Sequence, residues 1–166
     1  HAADEIESGW ATFETLKMTN ASIDELSELT AKAELIEQGE PLSAAVAHHV
    51  ALLHMANESY EEAQMFASRS LRLREKVDDT NGIVYGLALL EALAKKQHRH
   101  ETALVHASRR IELLMKLKDE EGQMEAMADM GHSQATLGQF DAAKDLYGQS
   151  LELAVALEGL SGQLVA

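Results

Sequence analysis

The chain has 166 residues, 46% hydrophobic and only 4% aromatic, with 28 acidic side chains against 14 basic ones and a net charge of −14. It has no cysteine, which excludes disulfides and thiolate metal sites, and no apolar run long enough to span a bilayer. Leucine and alanine, rather than aromatic rings, must carry the burial, as closely packed helices allow.

Taken in order, Ile6, Trp10, Phe13 and Leu16 recur at helical spacing and predict a helix over 2–18. Ile23, Leu26, Leu29, Ala33 and Ile36 predict a second over 21–38. The turn Gly39-Glu40-Pro41 follows, with proline tolerated in a helix's first turn. Three predicted pairs come next: 42–56 with 60–77, 82–97 with 100–118, and 122–137 with 141–157. They break at Asn57-Glu58-Ser59, Gln97-His98-Arg99 and Leu137-Gly138-Gln139. Gly138 suits a left-handed helix end, and Asp141 suits a helix start. The polar turns Asp78–Gly82 and Lys118–Gly122 also carry helix-start acids.

Sliding the sequence by 40 residues superimposes these pairs. Ala63, Ala103 and Ala143 form one column; Tyr60, His100 and Phe140 another; Leu71, Ile111 and Leu151 a third. Leu73, Leu113 and Leu153 align, as do Val50, Leu90 and Met130, and the glycines Gly82, Gly122 and Gly162, each read as lying just ahead of a helix start. Ile23, Leu26 and Thr30 fall one period before Ala63, Phe66 and Ser70, so residues 1–40 read as a degenerate first pair, with Trp10 and Phe13 sealing that end. A helical hairpin repeated at such a period is a solenoid. The expectation is one domain over 1–166: a terminal pair at 1–40, repeats at 41–80, 81–120 and 121–160, and the start of a further repeat at 161–166. Gly162–Ala166 matches Gly122–Ala126, and the chain opens on His1, so a fragment of a longer protein is expected.

Met130-Gly131, Leu137-Gly138, Phe140, Ala143, Tyr147, Ser150 and Leu151 follow a small/large pattern that resembles the tetratricopeptide repeat (TPR). The other copies depart from it: Ala51 and Glu91 stand where Gly131 does, and Glu58 and His98 where Gly138 does. The period exceeds the common TPR length of about 34 residues, and is similar to that of kinesin light chains and many bacterial signalling and transcription-regulating proteins. The resemblance implies an all-α, right-handed α-solenoid of about four antiparallel helix pairs, with a concave face made by the first helices. On this sequence that face would hold His48, Leu52, Met55, Tyr85, Ala88, Ala92, Lys95, Glu125, Ala128, His132 and Ala135. A protein or peptide segment laid in such a groove is the partner implied. TPR domains that clamp chaperone tails use Lys and Asn there. His48 and Leu52, Ala88 and Ala92, and Ala128 and His132 take those places, which argues against that ligand. The function expected is a non-catalytic binding scaffold. The alternative is a regulatory or dimerising sensor module of a larger bacterial signalling protein, with its output domain elsewhere and a homodimer formed through an exposed end or the groove.

Charge is uneven: residues 1–40 carry ten acids and two bases, 41–120 eleven of each, and 121–166 seven acids and one base. Acidic ends repel phosphate and argue against nucleic acid. Arg69, Arg72, Arg74, Lys76, Arg109 and Arg110 read as a solvated helical face. No zinc-protease helix, phosphate loop or nucleophile elbow occurs, so no catalytic residue, metal or cofactor is assigned. His98 and His100 could chelate only weakly without a carboxylate at defined spacing, and His100 fits the aromatic column instead. The seven methionines read as core fillers. Phe140 is expected between helices and Ala143 at a tight helix contact. The composition fits a cytoplasmic location.

Overall fold

The computed structural model describes residues 1–163, with side chains to 159; the remainder of the expected repeat start at 161–166 lies outside the described residues. Eight helices and no strand occur among them: α1 (Ala2–Met18), α2 (Ile23–Glu34), α3 (Glu40–Ala56), α4 (Tyr60–Lys76), α5 (Thr80–Lys96), α6 (His100–Leu117), α7 (Glu120–Thr136) and α8 (Phe140–Gln163). None is long and apolar enough to cross a membrane. Helices α1 to α4 each pack against the next in sequence across a short turn, as do α6 to α8, which makes these neighbours antiparallel. The chain divides into two compact units, one ending at Leu89 and the other beginning at Leu90 within α5.

The periodicity is finer than the sequence pattern suggested. Left-handed residues stand at Gln38, Glu58, Asp78, His98, Lys118 and Gly138, one every 20 residues. Each of the last five closes the preceding helix in the same way. At Glu58, for example, Ser59 N–H donates to His54 C=O at 2.9 Å and Glu58 N–H to Met55 C=O at 3.1 Å, a double bond pattern that satisfies the terminal carbonyls. Asn20, also left-handed, is off this register, which is the structural form of the degenerate first pair. That pair is fixed by a capping box instead, with Ser22 N–H donating to Glu25 at 2.9 Å and Glu25 N–H to Ser22 Oγ at 3.3 Å.

The glycine column finds its reason at the helix starts. Asp79 and Asp119 accept from the N–H of Gly82 and Gly122, both at 2.9 Å, and a Cβ on either glycine would run into the capping carboxylate. These glycines therefore lie inside the first turns of α5 and α7, as the third residue of each, rather than just ahead of the helix starts. At the far end, α8 runs on to Gln163, beyond the expected end at 157.

In the unit ending at Leu89, α3 is the central helix, with Leu42, Val46, Ala47, Val50 and Ala51 wholly buried. Phe13 of α1 is buried, with its ring edge-on to His49 at 5.8 Å and Trp10 tilted beside it at 6.2 Å. Phe66 stacks on His54 at 5.5 Å. In the second unit Leu93, Ala103, Ala107, Leu114 and Ala126 are buried. Ala63, Ala103 and Ala143 are all buried, as the column requires. Phe140 is not: its ring is 70% exposed, so the expectation of a ring held between helices fails. It begins α8 and no described element covers it.

Candidate partner-binding faces and a buried ion network

The first-helix residues of the unit ending at Leu89 are His48, Leu52 and Met55 on α3 and Tyr85 and Ala88 on α5. Leu52 and Tyr85 are exposed, at 38% and 66%, and the other three are half-buried. His48 lies near Arg74 and His49, and its Nδ1 is buried without a hydrogen-bond partner. Burial first, then the positive charges of Arg74 and His49, push its imidazole down to about 4 from an ordinary 6.5. It is therefore a neutral side chain at physiological pH. Arg74 itself is lowered by burial, against the pull of Asp79, and donates to the Gly82 carbonyl.

The remaining first-helix residues belong to the second unit. Glu125 and His132 on α7 are exposed; Ala92, Ala128 and Ala135 are half-buried. Lys95 is committed elsewhere. Its Nζ donates to Glu91 and to Asp129, each at 3.0 Å. Burial pulls the Lys95 ammonium down, and the two carboxylates more than offset this to raise it. Glu91 is only 1% exposed and also accepts from Arg110 Nη1 at 2.8 Å, while Arg110 reaches Asp129 at 3.4 Å. Two acids and two bases thus close a neutral network across α5, α6 and α7.

Arg110 consequently leaves the solvated face on which the sequence placed it. The signal was present in two columns of the repeat. Glu91 stands where Ala51 and Gly131 do, and Arg110 stands where Thr30, Ser70 and Ser150 do. Each is an anomaly alone, and the structure shows that they are one paired change. Arg69 and Lys76 are likewise occupied, by Glu34 (2.7 Å from Arg69) and Glu40, around a shallow cleft with Arg72 and Leu73. The hydrogen bond from Arg69 holds Glu34 below the usual carboxylate range. His98 and His100 sit with ring centres 6.4 Å apart.

Neither family models nor curated proteins give a match. Solved structures do. BtubC (BKLC) from P. vanneervenii superposes with a TM-score of 0.68 at 14% identity, covering 82% of this chain, which spans 59% of that one. A putative kinesin light chain from Podosopora anserina with nearly identical TPR-like repeats superposes with a TM-score of 0.70 at 17% identity, covering 95% of this chain and 76% of its own. At that identity the likeness speaks to fold alone. Eight helices, a 20-residue turn register and these neighbours agree: the chain folds as an all-α, TPR-like helical repeat.

Proposed function

We propose that the chain is a non-catalytic scaffold that binds a protein or peptide segment along its first helices. The observation that carries this is the exposure of Leu52 on α3 and Tyr85 on α5, first helices whose large side chains Val46, Val50, Leu87 and Leu90 are buried. Side chains of this kind anchor a partner by removing apolar area from water, and a preformed surface lowers the ordering cost. His48 adds a neutral ring beside them. Lys95 is assigned to the ion network rather than to the partner, which narrows the binding residues of α5 to Tyr85, Ala88 and Ala92.

The test is selection of binding peptides from a random library against the chain, followed by titration of one selected peptide. Tyr85→Ala and Leu52→Ala should each weaken it at least tenfold. Met65→Ala, at an apolar side chain on the second helix α4 that is more exposed than Leu52, should leave it unmoved. Equal affinity across all three variants would overturn the reading.

A further inference from the structure

The cleft between α2, α4 and the start of α3 holds one cation more than its carboxylates pair. Arg69, Arg72, Leu73 and Lys76 line it from α4, Glu34 from the end of α2 and Glu40 from the start of α3, around a volume of about 360 Å³. Arg69 Nε donates to Glu34 Oε1 at 2.7 Å, and Lys76 Nζ donates to Glu40. Those bonds hold both carboxyls below the usual range, so both are charged at neutral pH. Three cations against two carboxylates leave one positive charge, in a chain whose net charge is −14. Arg72 carries that charge. It adds a weaker pull on Glu34 from farther off, and among the described residues it makes no hydrogen bond or ion pair. Its column mates on α6 and α8 are Glu112 and Glu152, so the spare cation belongs to this copy and not to the repeat.

We propose that the cleft binds one carboxylate, the side chain of a glutamate on a partner protein, forked on Arg72 and reached by Arg69. The two arginines stand three residues apart on one face of α4. Arg69 is fixed from behind. The Oγ of wholly buried Ser43 lies 3.1 Å from the Thr30 carbonyl and 3.4 Å from Glu34 Oε1, and Glu34 takes only Nε of Arg69. Both Nη groups of Arg69 thus remain for a ligand. A planar guanidinium presents paired donors that match a carboxylate. The charge sets the class, because a phosphate dianion would leave surplus negative charge beside Glu34 and Glu40. The size of the cleft and the apolar flank of Leu73 suit the methylene stem of a glutamate rather than a bare ion. This surface lies on second helices and does not depend on the first-helix reading above.

The test is a titration of N-acetylglutamate N-methylamide into the isotope-labelled 166-residue chain, with the side-chain Nε–Hε signals of Arg69 and Arg72 followed by NMR. Arg72 is exposed, so saturation is expected in the millimolar range and should weaken with added salt. Arg72→Gln should abolish saturable binding at Arg69. Arg72→Lys, which keeps the charge but loses the fork, should weaken it severalfold. Lys116→Gln, at the exposed column mate of Lys76 on α6, should leave it unchanged. At equal ionic strength acetate should bind severalfold more weakly than the probe, and inorganic phosphate more weakly as well. No saturable shift in the wild type, equal binding by Arg72→Gln, or phosphate binding as tight as the probe would overturn the proposal. So would acetate binding as tight as the probe, because Leu73 would then hold no stem and the glutamate would lose its claim to the cleft.

Discussion

The repeats at 41–80 and 81–120 solve the same packing problem with opposite chemistry. In the first, one column holds Ala51 and the other Ser70, whose hydroxyl donates to the Ala44 carbonyl at 2.7 Å. The third repeat does likewise with Gly131 and Ser150, which donates to the Met124 carbonyl at 2.8 Å. In the second repeat both columns are charged, and Glu91 and Arg110 bind one another. Small residues let helices approach and leave nothing polar unpaired. A buried carboxylate demands a cation of matching reach, so neither position can change alone. The comparison teaches that a departure from a repeat pattern should be read with its spatial partner, because two local exceptions can cancel one another's charge.

Breaking that pair is the largest effect expected. Arg110→Ala leaves Glu91 buried with Lys95 alone, and should cost about 3–5 kcal/mol in chemical denaturation. Glu91→Ala should cost less, because Arg110 keeps Asp129. The double change Glu91→Ala with Arg110→Ser installs the first repeat's residues and should recover most of the loss. If the double variant is as unstable as the sum of the singles, the two columns are not coupled as described.

A second contrast lies in the column His48, Ala88, Ala128. Only the first copy is titratable, and its folded-state value of about 4 lies below the ordinary 6.5. The unfolded chain takes up a proton below 6.5 while the folded chain resists it until about 4. Stability from this residue is therefore fully present above 6.5 and is lost as the pH falls toward 4, by about 3 kcal/mol in all. His48→Ala, which makes the copies alike, should flatten the stability profile across that window. Unfolding curves that keep the same pH slope in wild type and variant would show that His48 is not held neutral by burial.

Much of this was legible from the chain because a repeat states its pattern several times. The number and order of the helices, the three breaks within pairs and the Ala63, Ala103, Ala143 column lie where periodicity put them, while α2 stops at Glu34, short of the expected 38, and α8 runs past 157. What escaped were properties of single copies. Phe140 shares a column with Tyr60 and His100, yet lies 70% exposed at the start of α8. Periodicity gives the face of a helix but not whether something covers it. Arg110 escaped for the converse reason: a base on a second helix looks solvated until the residue opposite is seen to be an acid. The glycines Gly82 and Gly122 were seen, but their cause, a capping carboxylate folded over the N–H, needed coordinates.

The smallest effect tests the 20-residue register itself. Of the five turns closed by the same double hydrogen-bond pattern, only the one at Gly138 uses glycine; Glu58, Asp78, His98 and Lys118 hold the left-handed conformation with a side chain. A Cβ there crowds the following carbonyl and costs about 1–2 kcal/mol, against about 0.5–1 kcal/mol of extra chain entropy that glycine loses on folding. Glu58→Gly and His98→Gly should therefore each stabilise the fold by about 0.5–1 kcal/mol. Gly138→Ala should destabilise it by a similar amount, and through the backbone alone, since an added Cβ meets nothing within 4 Å. Opposite signs in thermal melts would sharpen the comparison of repeats to one statement: the copies share a backbone, and they differ in how much strain each sequence leaves in it. Equal signs would mean that the turns are not equivalent.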